Sequence, residues 1–331
     1  MTDDVWTVKR ILEWIEGYLL SHGDDKPRAA AQWLVAEALG VNRMQLFMDL
    51  ERPLSLGERD ILRDYTRRRA AGEPLQYISG KAAFRHIEVA VKPGVLIPRP
   101  ETEVLVSEAL KLLPDKPKVQ SAESDLFARA YTIMSEEGIE LEAALERLRN
   151  ETSPALEQPA LLVADMCTGS GCIACSVAYE HPQTHVVAVD ISDVACALAR
   201  ENVAQLGLED RVEVVEGDLG EAVDERLLGL FDLVVSNPPY IPTSVLQELP
   251  HEVSGFEPRL ALDGGQDGLD LYRPLLDWAR KALKAGGGFA CELHETCLDD
   301  AAAEADYAGF EDVRVVDDLA GRPRVLVARK R

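Results

Sequence analysis

The sequence predicts an α/β protein, a doubly wound and mostly parallel sheet that follows a small helical bundle and a β-hairpin. Three observations predict it. The short apolar runs "ALLVAD" (160–165), "HVVAVD" (185–190), "RVEVVEGD" (211–218) and "FDLVVSN" (231–237) alternate with helical stretches. Near-continuous apolar strands separated by helices imply a parallel sheet covered on both faces. Apolar residues recur at three and four over the first seventy or so positions, as in an amphipathic bundle. Between these regions, residues 75–100 change to alternating and β-branched composition broken by glycine and proline.

The bulk properties fit a globular chain of two domains: 331 residues, 47% apolar and 28% charged. Acidic residues outnumber basic ones by 58 to 35, a net charge of -23, which repels polyphosphate and disfavours nucleic acid as a partner. The acidic start "MTDDVWTVKR" has no apolar leader, and no stretch approaches the roughly 20 apolar residues of a membrane helix. A cytoplasmic protein is expected. Cys172 and Cys175 form a CxxC, but no second pair stands at zinc spacing, so both read as small buried helix residues with reduced thiols. The histidines at 22, 86, 181, 185, 251 and 294 are scattered, and no metal is expected.

Taken in order, Val8, Ile11, Leu12, Ile15 and Leu19 mark a first helix, and Ala30, Leu34, Ala38 and Leu39 a second. A third runs from Leu56 to Tyr65 and stops near Gly72 and Pro74. The hairpin follows, in "YISGKAAFRHIEVAVKPGVLIPRP", and then a helix from about Glu101 to Leu113. Helices are expected again at Gly171–Glu180, Ser192–Leu206 and Leu219–Leu228, each after a strand. Residues of about 114–159 interrupt the rhythm with amphipathic patterns and polar ends, as a surface helical insertion would. The expected division is 1–73 helical, 74–100 hairpin linker and 101–331 catalytic, the last carrying the insertion.

Ligands in such sheets bind beyond the carboxyl ends of the strands, where Asp165, Asp190, Asp218 and Asn237 fall. "ADMCTGSGCIA" follows the first strand and opens a helix, with Gly169 and Gly171 allowing a tight turn and close approach to a ligand. Asp190, about 20 residues on, can accept hydrogen bonds from both hydroxyls of a ribose. The third glycine of a nicotinamide-binding turn is absent. A ligand with an amino-acid tail and a ribosyl adenine fits better, which points to S-adenosylmethionine, with Asp218 and Leu219 beside the adenine.

The run "FDLVVSNPPYIP" ends a strand in Asn237, Pro238, Pro239 and Tyr240. Two prolines hold Asn237 extended, so that its side-chain carbonyl and the main-chain carbonyl of Pro238 offer two acceptors to one planar –NH2 group. Tyr240 can lie against the flat face of that group. Such a corner orients a weakly nucleophilic amine toward an electrophilic methyl without a metal or a covalent intermediate.

Together "GEPLQYISGKAAF", "VLIPRPETE", "DMCTGSGCIA", "AVDIS", "FDLVVSNPPYIP", "EPRLALDGGQDGLDLYR" and "GRPRVLVARK" resemble the peptide chain release factor N(5)-glutamine methyltransferase family (HemK/PrmC). The resemblance implies a class I S-adenosylmethionine-dependent methyltransferase with a seven-stranded sheet. The implied substrate is the glutamine side-chain amide in the Gly-Gly-Gln motif of bacterial class 1 release factors, which the N-terminal helical domain helps bind. It implies that Cys167, Thr168, Gly169, Ser170 and Gly171 form the cofactor loop, that Asp190 holds the ribose, and that Leu219 borders the adenine. Asn237, Pro238, Pro239 and Tyr240 then hold the glutamine, with Asn237 also near the cofactor, and the segment Arg99–Glu103, including Glu101, lies by the mouth of the site. Cys167 stands where the family usually has glycine, so either its side chain points away from the cofactor or cofactor affinity suffers. "RHI" after Phe84 replaces the usual aromatic and glycine, and the insertion is atypical.

The alternatives are a nucleic-acid methyltransferase acting on adenine or cytosine amino groups and a non-catalytic cofactor-binding scaffold. The acidic composition disfavours the first, and the intact Asn-Pro-Pro-Tyr corner the second. A Gly-Gly-Gln also occurs at 264–266, where it reads as a family loop with Gln266 at a variable position, in preference to a self-methylation site.

Overall fold

The computed structural model describes residues 5–114 and 160–331. The expected insertion therefore lies, apart from Pro114, outside the described residues.

Helix α1 (Val8–Ser21) starts where the Thr7 hydroxyl accepts the Arg10 N–H, and it buries Val8, Ile11, Ile15 and Leu19. Helix α2 (Pro27–Leu39) begins with proline in its first turn and ends at Gly40 in the left-handed conformation. Helix α4 (Leu56–Ala70) is closed by a capping box between Ser55 and Glu58. The periodicity missed α3 (Arg43–Met48), six residues long and set by an Asn42/Gln45 capping box, because one turn and a half is too short to show a repeat. The first residues expected in the hairpin region form another short helix, α5 (Leu75–Ser79), which ends at left-handed Gly80. Ile15, Leu19, Leu34, Val35 and Leu62 pack into one core beneath these helices, each such side chain stabilising by about 1.5–3 kcal/mol relative to exposure.

The hairpin itself is β1 (Lys81–Phe84) and β2 (Ile87–Ala90), with Phe84 opposite Ile87 across a two-residue loop. Arg85 takes the first loop position at φ 52°, a conformation unfavourable to a side chain. Five contacts hold it there. Its Nε and Nη2 donate to the two carboxylate oxygens of Glu180, Nη1 donates to the Glu103 carbonyl and the Ser107 hydroxyl, and its N–H donates to Glu103 Oε1. The Arg85 side chain thus ties the hairpin to the sheet domain.

After α6 (Thr102–Leu112) come β3 (Leu161–Met166), α7 (Cys172–Glu180), β4 (Thr184–Asp190), α8 (Asp193–Gln205), β5 (Val212–Glu216) and β6 (Phe231–Ser236). Short helix α9 (His251–Ser254), α10 (Tyr272–Ala282), β7 (Leu283–Glu292), α11 (Leu298–Tyr307), β8 (Phe310–Asp317) and β9 (Pro323–Lys330) complete the chain. The seven strands lie in the order β5-β4-β3-β6-β7-β9-β8. β5 through β7 run parallel, while β9 is antiparallel to both its neighbours. This is the doubly wound, class I arrangement, and its reversal of winding between β3 and β6 opens a crevice at the carboxyl ends of both.

One expected helix does not form. Leu219–Leu228 contains only two 3-10 turns, at Leu219–Ala222 and Glu225–Leu227. Leu219 has φ 44°, and a Cβ on Gly220 would sit 1.9 Å from Cδ1 of Trp278, so the chain lies flat against the indole where a helix would need room. Cys172 and Cys175 are buried free thiols on α7, as the spacing predicts, and burial pushes Cys175 up to about 12.

Candidate active site

The crevice is a cavity of about 250 Å³ at the carboxyl ends of β3, β4 and β6, lined among others by Cys167, Gly169, Asp190, Leu219, Asn237 and Pro239. The loop between β3 and α7 shapes one wall. Asp165, fully buried, accepts the Thr168 hydroxyl at 2.6 Å and the Ala174 N–H at 3.0 Å through Oδ2, which pins the loop onto the start of α7. Burial drives the Asp165 carboxyl up to about 7 despite those two bonds. Gly171 adopts φ 77°, and a Cβ there would meet Ala199 Cβ at 3.1 Å, so only glycine lets α7 pack this closely on α8. Cys167 takes φ 60°, the left-handed region where a glycine would be unstrained. Cys167 lines the cavity, and burial pushes its thiol well above its ordinary value.

Asp190, the last residue of β4, accepts the Gly169 N–H at 2.8 Å with Oδ2 and the Ser192 N–H at 3.0 Å with Oδ1. Those bonds fix the carboxylate in the cavity wall with a lone pair on each oxygen still open. Burial raises it overall. Thr168, Ser170, Asp218 and Leu219 also line this cavity.

Asn237 follows the end of β6, where the Ser236 hydroxyl donates to the Met166 carbonyl at 2.6 Å and locks the strand end to β3. The Asn237 side-chain Nδ2 donates to Thr102 Oγ1 at 3.1 Å, and no other hydrogen bond engages the amide among the described residues. Its Oδ1 is thus the free end. Pro238 is buried beneath the corner. Its carbonyl accepts no hydrogen bond from the described protein. Asn237 borders a second cavity of about 150 Å³, lined also by Leu96, Arg99, Tyr240 and Ile241. Tyr240 places its hydroxyl 2.8 Å from Glu292 Oε1, and burial followed by the Glu292 charge pushes its ionisation far up.

Arg99 lines both cavities and pairs with buried Glu257 at 2.6 Å. Glu101 stands exposed at the head of α6 and lines neither cavity. Gln266 is also exposed and outside both, whereas its neighbour Gly264 is packed so tightly that a Cβ would approach Tyr240 Cα to 2.6 Å. Sequence reasoning did not single out Thr102 or Glu292. Glu292 carries the same signal as Asp190, an acid closing a strand, but in a glycine-rich stretch that does not read as one.

The residues present fit the cofactor predicted from sequence. A Cβ on Gly169 would project between the loop and Val95 Cγ1, 3.9 Å away, so the missing side chain leaves cradle space, and the carboxylate of Asp190 stands in the same wall. Among the described residues no cluster of three or more His, Cys, Asp or Glu could hold a metal ion, and no helix is long and apolar enough to cross a membrane.

Two family models match the chain, the PrmC N-terminal domain over residues 10–80 and the methyltransferase small domain over residues 146–249. The release factor glutamine methyltransferase of Geobacter sulfurreducens is 36% identical over 326 residues, 98% of each chain. The chain belongs to the release factor glutamine methyltransferase family. The Rhodopirellula baltica member is 34% identical over 99% of this chain and 98% of its own length, and the Caulobacter vibrioides member 37% identical over 93% and 91%. As a release factor glutamine methyltransferase family member, the chain contains both halves of the family's architecture, the helical unit and the S-adenosylmethionine-dependent sheet domain.

Proposed function

We propose that this chain methylates the side-chain amide nitrogen of the glutamine in the Gly-Gly-Gln motif of bacterial class 1 release factors, using S-adenosylmethionine. The observation that carries this reading is Asn237, whose amide is tethered to Thr102 on one side and borders both cavities on the other. The larger cavity takes the cofactor and the smaller one the glutamine, so that the two meet at Asn237.

The cofactor supplies an electrophilic methyl group at its sulfonium. The loop Cys167–Gly171 cradles the amino-acid portion, Asp190 takes the ribose hydroxyls, and Asp218 and Leu219 flank the adenine. Asn237 Oδ1 and the Pro238 carbonyl accept the two amide hydrogens of the glutamine, holding its nitrogen in line and raising its electron density. Pro239 stiffens the corner, Tyr240 covers the amide face, and Arg99 and Glu101 face the incoming polypeptide. Residues 1–73 help dock the release factor, a role supported by the exposed Trp33, Met44, Phe47 and Met48. Residues 74–100 link that unit to the catalytic residues 101–331.

The test is mass spectrometry of a release factor after incubation with enzyme and cofactor. One added methyl group on the Gly-Gly-Gln glutamine is expected. Methylation of DNA with none on the release factor would overturn the assignment.

A further inference from the structure

We propose that the helical unit also builds the wall of the glutamine cavity: Arg69, in the last turn of α4, is a positioning residue that seats α9 through Glu252 and so sets Val253 in the wall of the smaller cavity. What that cavity holds rests on the methyl-transfer reading above.

Helix α9 does not hold itself in place. It has four residues, no side-chain cap and no buried residue, and so short a helix is not stable without outside contacts. Yet Val253 lines the smaller cavity together with Asn237 and Tyr240. The N–H of Glu257 donates to the Val253 carbonyl at 2.9 Å, and the Glu257 carboxylate accepts Arg99 Nη2 at 2.6 Å. Arg99 lines both cavities. Residues 250–257 therefore face the site on one side, and whatever fixes their other side shapes it.

That other side rests on the helical unit. Glu252 Oε2 accepts Arg69 Nη1 at 2.9 Å, while the same Nη1 donates to the Glu73 carbonyl at 3.1 Å and Nε donates at 2.6 Å to Oδ2 of Asp24, between α1 and α2. Gly72 completes the contact. A Cβ there would lie 3.0 Å from His251 Cδ2, and the His251 ring packs edge-on against Phe256 with centroids 5.8 Å apart. An exposed ion pair contributes little when two mobile side chains must be ordered to form it. Arg69 differs, because its side chain is 11% exposed and is already held by Asp24, itself 4% exposed. Glu252 thus meets a guanidinium with little freedom left to lose. Arg69 lines neither cavity, so its route to the site runs through α9.

A short synthetic Gly-Gly-Gln peptide brings no docking surface for the helical unit, so a unit that only docks would leave its turnover unchanged in the variants below. We expect Glu252→Ala to lower kcat/KM for the peptide about fivefold, and Glu252→Arg, which sets two cations face to face, about tenfold. Arg69→Lys keeps a charge for Asp24 but cannot span all three acceptors, and should also cost about fivefold. The double variant Glu252→Ala/Arg69→Lys should be no worse than the poorer single one, with the cofactor Kd by calorimetry held within about twofold throughout. Wild-type peptide turnover in Glu252→Ala and Arg69→Lys, additive losses in the double variant, or a parallel loss of cofactor binding would overturn the proposal. Hydrogen exchange reads the same coupling without substrate. The Val253 and Glu257 amides, bonded to the Pro250 and Val253 carbonyls, should exchange faster in both single variants, while the Gly169 amide bonded to Asp190 keeps its rate. Unchanged exchange at 253 and 257 refutes the proposal whether or not the protein methylates. Faster exchange there, in a protein whose wild type methylates neither the peptide nor a release factor, supports the seating of α9 and refutes the methyl-transfer reading instead.

Discussion

Replacing Asn237 with alanine separates substrate activation from cofactor binding. The substitution removes the free Oδ1 acceptor and the 3.1 Å bond to Thr102. The second loss concerns stability: a hydrogen bond of this kind contributes about 1 kcal/mol net, and the half-buried site can admit water, so the fold survives. The first concerns the reaction. An acceptor already fixed in a water-poor cavity before the charge shifts is worth about 2.7–4 kcal/mol of barrier, or about 10²–10³ in kcat. Cofactor binding should change little, because the Gly169 and Asp190 walls remain intact. Single-turnover transfer of labelled methyl onto a release factor, beside calorimetric titration of the cofactor, reads both quantities. A loss in kcat below about tenfold, or a loss of cofactor affinity as large as the loss in rate, would refute the division of roles.

Asp190→Asn leaves one acceptor where two backbone N–H groups now bond; with charged-acceptor bonds worth about 1.5–3 kcal/mol, cofactor affinity should fall about 10- to 100-fold, and wild-type affinity by calorimetry would contradict the ribose role. Arg85→Ala leaves Glu180, whose side chain is 11% exposed, without its bidentate partner. Breaking a buried pair costs about 3–5 kcal/mol and this one is slightly wet, so about 2–4 kcal/mol is expected in urea unfolding, and a change below about 1 kcal/mol would show that the hairpin is held otherwise. The Asp165 carboxyl is raised to about 7 in the folded state, against about 3.9 when unfolded. The native state therefore binds more protons between those values. This stability is fully present below about pH 4 and is lost as pH rises through about 7. Asp165→Asn should flatten the fall of unfolding free energy over that window relative to wild type, and an unchanged slope would place the dependence on Asp190, Glu257 and Glu292, which shift in the same direction.

What was legible in the sequence was whatever depends on neighbours in the chain. The β-branched runs of β3 to β6 announce buried parallel strands, and each ends within a residue or two of a polar group because the strand ends open into the crevice. The helical repeat of α1, α2 and α4 is equally local. Leu219–Leu228 misled because its apolar spacing resembles a helix, while the obstacle, Trp278, lies more than fifty positions away. Arg85 could not be interpreted for the same reason, since its Glu180 partner is 95 residues distant.

Strand β7 shows how a function-bearing residue can be hidden by a packing requirement. Its sequence "LKAGGGFACE" lacks the β-branched character of its neighbours, and the glycines answer to contacts from elsewhere. A Cβ on Gly288 would come within 2.6 Å of Leu112 Cβ, and one on Gly287 within 3.1 Å of the Phe231 carbonyl, so α6 and β6 can approach β7 only because those side chains are missing. That close approach of α6 is also what brings Thr102, its first residue, within hydrogen-bonding reach of Asn237. The glycines that disguise the strand serve the placement of Thr102 against Asn237, while the acid that ends it holds the Tyr240 hydroxyl. A bulkier residue at 288 should disturb Asn237 through α6 without touching either cavity.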